Sequence, residues 1–369
     1  MKTLCWILVA LLSTVLSHTA QALELKPVTV ARGLANPWAL AFLPDGRMLV
    51  TERAGRLRIV SRDGRLGEPL AGLPAIAAGG QCGLLDVVVD AKFSETGLIF
   101  FSFAEPAPAG QSGNSTAVAR ARLNGNQLSE VRTIFRQSPK VASQLHCGSR
   151  IVMARDRTLM VGLGDRFSRK DDAQTLDNHH GKVVRIDLDG KAPSDNPFVT
   201  RAGALPEIFS LGHRNIQGGA MHPDTGDFWF SEHGPQGGDE VNVVEAGRNY
   251  GWPLVTYGRN YGIGTRIGEE GPKAGFEQPL KHWVPLSIAP SGLAFLGSER
   301  YPGWKGSLFV GALRGEMLLR LTLDGRKVVA EERLLESLKE RIRDVRQGPD
   351  GWLYVLTDNA DGRIIRLEH

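Results

Sequence analysis

The sequence predicts an all-β protein, a six-bladed β-propeller, and three observations carry that expectation. A strand-turn-strand pattern recurs six times along the chain, glycine and proline are plentiful at 44 and 20 of 369 residues, and helical periodicity is nearly absent. With 42% hydrophobic and 23% charged residues, disorder is excluded as a description of the whole chain, and there are no sustained heptads for a coiled coil. The first copy, LAFLPDGRMLVTERAGRLRIVSRDGR, runs from Leu40 to Arg65. Met48 and Val50, then Leu57 and Ile59, alternate with the two-residue period of antiparallel strands around an Asp-Gly turn. Further copies begin at Asp86, Ser149, Gly218, Ser291 and Arg343. Radial packing of such units buries both faces of every sheet, which a sandwich of the same strands does not require. One short stretch, Val329 to Lys339, reads equally as a helix or as an outer strand and loop. Closure of the ring must bring Arg341 to Asp344 near the N-terminal blade.

The first 22 residues, MKTLCWILVALLSTVLSHTAQA, carry one lysine, an apolar run from Leu4 to Leu16 and a small-x-small ending at Ala20 to Ala22. That is the pattern of a cleaved export signal, and the run is shorter than the roughly 20 residues a spanning helix needs. The expected division is therefore residues 1–22 as signal and 23–369 as one propeller domain, periplasmic or secreted, without stable membrane insertion. Losing Lys2 takes the net charge from +4 to +3. The remaining basic residues are dispersed among acids, so a nucleic-acid partner is not expected.

Between the strand units lie polar, glycine-rich segments: QCGLLD, QLHCGSR, GLGDR, GHRNIQG, EHGPQGGDEVN, NYGWP, APSG, ALRG and RIRDVR. In a propeller the strand ends on one face converge on the central channel, so these segments could build one site from distant positions. Taken together and in order, they resemble the soluble pyrroloquinoline quinone (PQQ) dependent sugar dehydrogenases, in particular the bacterial aldose sugar dehydrogenase branch. The resemblance covers nearly the whole chain after the signal.

That resemblance implies a six-bladed propeller that oxidises the anomeric hydroxyl of an aldose sugar to a lactone and passes the electrons to an acceptor. It implies His146 as general base and Asp165 as the carboxylate that orients it; imidazole suits the task because its pKa lies near neutrality. Arg214 and Asn215 match the pair beside the quinone, where a fixed guanidinium can stabilise developing negative charge. Gln81 matches a further cofactor contact, and Arg314, Arg341 and Arg343 match the cations around a tricarboxylate. Trp283, Pro290, Ser291 and Gly292 match the wall and loop over the flat cofactor.

Calcium is the implied metal, with main-chain oxygens of Gly234 and Pro235 as ligands beside the quinone. Glu240 and Tyr250 match a second, more structural ion, with Asp239 as a possible neighbour. Zinc is not expected, because the histidine and cysteine spacings form neither CxxC nor HExxH. His179 and His180 read as loop residues. Cys82 and Cys147 each follow a candidate site residue, Gln81 and His146, so they are expected to lie near each other on neighbouring blades; whether they bond is left open. Two other readings compete, a calcium-dependent lactonase and a propeller that only binds a glycan or protein. The preferred sugar, the electron acceptor and the choice between monomer and homodimer cannot be read from the chain.

Overall fold

The computed structural model describes residues 23–369, so the expected export signal lies outside the described residues. Six four-stranded antiparallel sheets form the blades. Their inner strands are Pro37–Phe42 (blade 1), Leu84–Val89 (blade 2), Gly148–Met153 (blade 3), Ile216–Met221 (blade 4), Pro290–Phe295 (blade 5) and Ile342–Gln347 (blade 6). Each sequence repeat starts inside one of these strands. The six-bladed propeller is thus the fold, and the stretch from Val329 resolves into the outer strand Lys327–Leu334 followed by a 3-10 turn, Glu336–Leu338. Among the described residues, no helix is long and apolar enough to cross a membrane.

The ring closes between the chain ends. Strand Lys26–Leu34 pairs antiparallel with Gly362–Glu368 and completes blade 6 as its outermost strand. At the inner edge, Asp344 accepts a hydrogen bond from the Leu40 amide at 3.1 Å, which ties blade 6 to blade 1 as closure demanded.

Packing between blades explains why alternation is blurred in places: with both faces covered, Leu49 is as buried as Met48 and Val50. Side-chain hydroxyls meet backbone groups at the inner strands that the sheets leave unpaired. Thr51 donates to Leu85 O (2.5 Å), Ser102 to Ser149 O (2.8 Å), and Ser231 to Ser291 O (2.9 Å), each from one blade to the next. Inside the channel, the Arg150 guanidinium lies between Asp86 (2.9 Å) and Asp344 (3.4 Å), joining blades 2, 3 and 6. The long insertion between strands Asp239–Val244 and Lys281–Trp283 of blade 4 supplies part of the site described next.

Candidate active site

His146 immediately precedes the inner strand of blade 3, and Asp165 follows its second strand, Leu159–Leu163. Gly148 pairs with Leu163 in register, so the two strand ends sit side by side and their side chains meet. The approach is tight: a Cβ on Gly164 would stand 1.9 Å from the His146 carbonyl oxygen, so only glycine fits between them. His146 Nδ1 lies 2.6 Å from Asp165 Oδ1. The same oxygen accepts the Phe167 amide at 2.8 Å, while Oδ2 accepts Trp252 Nε1–H at 2.7 Å. The Asp165 amide in turn donates to Arg214 O at 2.9 Å.

Burial lowers the His146 pKa; the bond to Asp165 opposes this, and the charges of Arg214 and Arg166 reinforce it. For Asp165, burial alone would raise the pKa, but the His146 bond, the Arg214 charge and the Phe167 amide together hold it below the ordinary carboxylate value. At neutral pH the pair is a neutral imidazole beside a carboxylate. The proton then sits on Nδ1, which leaves Nε2 as a lone-pair base.

These residues line a cavity of about 250 Å³ with Phe167, Lys170, Arg214, Pro235, Trp252, Asn260, Tyr261 and Ile267. Arg214 donates through Nη1 to His233 O (3.0 Å) and Gly234 O (2.7 Å), and its guanidinium stands 5.2 Å from the Trp252 ring centre. Trp252 therefore holds both the carboxylate and the cation. It sits in the NYGWP motif, yet its role was not legible in the sequence, since the contact to Asp165 spans 87 positions.

Several of the other expected site residues do not line this cavity. Gln81 Oε1 accepts the His146 amide at 2.7 Å, so it fixes the base's backbone. Asn215 is buried and accepts from the Gly148 amide at 3.1 Å. Arg343 pairs with Asp358 at 2.6 Å and Arg341 reaches the same carboxylate at 3.7 Å, as their shared side of the strand implies. Arg314 is exposed in the turn after strand Leu308–Ala312. Three buried donors, Asn215 Nδ2, Arg214 Nε and Arg343 Nε, have no acceptor within the protein.

The residues expected to form the wall and loop over the cofactor do not line this cavity. Trp283 is buried in the core between blades 4 and 5, where its indole N–H donates to Glu331 at 3.1 Å, because alternation turns that ring into the interblade space. Pro290, Ser291 and Gly292 open the inner strand of blade 5 and do not form a loop. The Ser291 hydroxyl donates to Ile342 O at 2.6 Å, and a Cβ on Gly292 would meet Asp344 at 2.2 Å.

Around the expected metal positions, Asp239 is not a free ligand: its two oxygens accept from the Gly234, Ile288 and Ala289 amides and the Ser287 hydroxyl. The Tyr250 hydroxyl is likewise committed, donating to Val243 O (2.6 Å) and accepting from the Glu245 amide (2.9 Å). Glu240 accepts one bond, from Asn242 Nδ2 to its Oε2 at 3.1 Å. Burial, together with the nearby Glu232 charge, pushes its carboxyl up to about 8, and the neighbouring Asn242 Oδ1 is buried without a partner. Surplus hard oxygens of this kind suit a divalent cation. Among the described residues, no group of three or more His, Cys, Asp or Glu side chains could hold a metal, so main-chain oxygens would have to complete such a site.

Cys82 and Cys147 form a disulfide with a Cα–Cα distance of 5.7 Å, on neighbouring blades behind the cavity.

A propeller that joins a buried histidine–aspartate couple to a guanidinium can serve more than one chemistry, and the comparisons define the family. Residues 34–366 match the family model "Glucose / Sorbosone dehydrogenase", and the chain belongs to that family. It is 43% identical over 337 residues to aldose sugar dehydrogenase YliI of Escherichia coli (strain K12), covering 90% of each chain. Among solved structures it resembles the apo form of the soluble aldose sugar dehydrogenase from E. coli (TM-score 0.89, 42% identity, 94% of this chain and 99% of that one). It also resembles the PQQ-bound form of aldose sugar dehydrogenase from Streptomyces coelicolor (TM-score 0.77, 30% identity, 94% and 98%).

Proposed function

We propose that this chain is a periplasmic or secreted, PQQ- and calcium-dependent dehydrogenase that oxidises the anomeric hydroxyl of aldoses to lactones. The observation that carries the reading is the meeting of His146, Asp165 and Arg214 in one cavity. His146 Nε2 takes the proton of the C1 hydroxyl. Asp165, locked by Trp252 and the Phe167 amide, steadies the imidazolium that results, as the aspartate of a hydrolase triad does. Arg214 contributes fixed positive charge beside the reacting carbon.

The residues fit the cofactor. An acceptor-rich ligand is supported by Arg214, which lines the cavity and whose Nε has no partner within the protein, and Arg341 and Arg343 would neutralise carboxylates leaving water. When bound, PQQ would supply the two-electron acceptor for the C1 hydride, and calcium the polarisation of its quinone carbonyl. Gly234 and Pro235 beside Arg214, together with Glu240 at a second position, are the residues we assign to calcium. Export is supported by the disulfide, which persists in oxidising compartments.

Product analysis tests the reading. An aldose deuterated at C1 should yield the lactone with a primary isotope effect on dye reduction. Consumption of added lactone without oxidation of any aldose would favour the lactonase instead.

A further inference from the structure

Gln81, His146 and Asp165 share an arrangement that the proposed chemistry does not itself use. The residue following each of them, Cys82, Cys147 and Arg166, turns away from the cavity into one buried cluster. Cys82 and Cys147 are bonded and almost wholly inaccessible, at 0% and 2% exposure. The Arg166 guanidinium lies against both sulfurs, donating through Nη1 to Cys82 Sγ at 3.4 Å and to Cys147 Sγ. Its other amino group donates to Asn114 Oδ1 at 2.6 Å and to Ser143 O. The Cys147 carbonyl accepts from the Thr116 hydroxyl at 2.5 Å.

The backbone adds a second, independent observation. His146, Arg166 and Phe167 all adopt left-handed conformations, with φ of 47°, 59° and 67°. Non-glycine residues hold such conformations only where their surroundings over-determine them. Here the surroundings are the cluster itself. The disulfide fixes the peptide after His146, Gln81 fixes the amide before it, and Arg166 fixes the chain after Asp165; Phe167, which follows Arg166, stands edge-on to the imidazole at 5.2 Å.

We propose that the Cys82–Cys147 disulfide, with Arg166 packed on its sulfurs, is a positioning unit that holds His146 on Asp165 in the orientation from which it takes the substrate proton. The proposal rests on His146 being the base, and its readouts are chosen to separate the two claims. Reduction in place is not part of it, since both sulfurs are shielded from solvent.

The test is the full-length Cys82→Ala/Cys147→Ala variant, assayed as reconstituted enzyme and, separately, by NMR titration of the His146 imidazole in cofactor-free protein. The charged and titratable groups around that ring are Asp165, Arg214, Lys170 and His233, with Arg166 acting on it from the disulfide cluster. We expect kcat to fall about tenfold or more with KM within about twofold, as a displaced catalytic group predicts. The His146 titration should shift from its wild-type value, because the Asp165 bond that raises it is weakened and the burial that lowers it changes with the ring's position. Loss of thermal stability with wild-type kcat and an unmoved titration would overturn the proposal and leave the bond as a staple alone. If the double variant does not fold, Arg166→Lys with the bond retained takes its place: a lower kcat and a shifted titration support the unit, and wild-type values for both overturn it. If His146→Ala keeps full turnover, the assignment of the base fails, while the titration in the disulfide variant still reports on positioning.

Discussion

His146 Nδ1 lies 2.6 Å from Asp165 Oδ1, and this one contact fixes the tautomer on which the chemistry depends. Because burial keeps the imidazole neutral and the carboxylate stays ionised, the proton resides between Nδ1 and Oδ1. The opposite nitrogen keeps its lone pair, and His146 lines one cavity with the Arg214 guanidinium, as the proposed role of base requires. A histidine of ordinary exposure would be partly protonated in the same pH range and less available.

Replacing His146 by alanine removes that base. Turnover should drop by at least about a hundredfold, within the range for loss of a general base, while PQQ binding measured by quinone absorbance persists. Near-normal turnover would remove His146 from the role.

The acid side of the pH profile follows from the same burial. The lowered His146 pKa places the acid limb of kcat below the value for free histidine, about 6.5. The sign for stability agrees: a depressed folded-state pKa means that the unfolded chain binds the proton more readily. His146 therefore contributes stability above about pH 6.5 and loses it as the pH falls through the folded value. A limb centred above 6.5 would contradict this.

Trp252→Phe keeps a ring beneath Arg214 but removes the hydrogen bond to Asp165 Oδ2. Losing a donor to a buried charged group is worth about 1.5–3 kcal/mol, and here it should raise the Asp165 pKa and lower kcat/KM more than it alters thermal stability. A pH–rate profile superimposable on that of the wild type would refute the role.

Glu240→Gln tests the second cation position. Calcium should raise the wild-type Tm, by mass action on the folded state, with a stabilisation of about 2.7 kcal/mol at a hundredfold excess over Kd. The variant should lose the part of that shift due to this ion. An identical calcium response in both proteins would exclude Glu240 as a ligand.

Much of the fold was legible because the repeated unit is short and local. The apolar-PDG-apolar hairpin at Leu40 to Arg65 became part of blade 1, with Ala41 facing Leu49 and Phe42 facing Met48. The residues of the His146–Asp165 couple lie 19 positions apart at adjoining strand ends, so motif order sufficed to find them. Trp252, Asn260, Tyr261 and Ile267 were not assigned, because they enter from a long insertion whose path no periodicity encodes. Trp283 was ambiguous for the opposite reason: a tryptophan in a strand satisfies either a core or a pocket, and only the facing blade decides between them.

Aldose-dependent dye reduction by cofactor-stripped protein, assayed with neither addition, with PQQ alone, with calcium alone and with both, is the most direct check on the central claim. The account predicts turnover only when both are present, and its near-complete loss in His146→Ala under the same conditions. Aldose oxidation that survives exhaustive chelation without any quinone absorbance would contradict it, as would a fully reconstituted protein that oxidises no aldose.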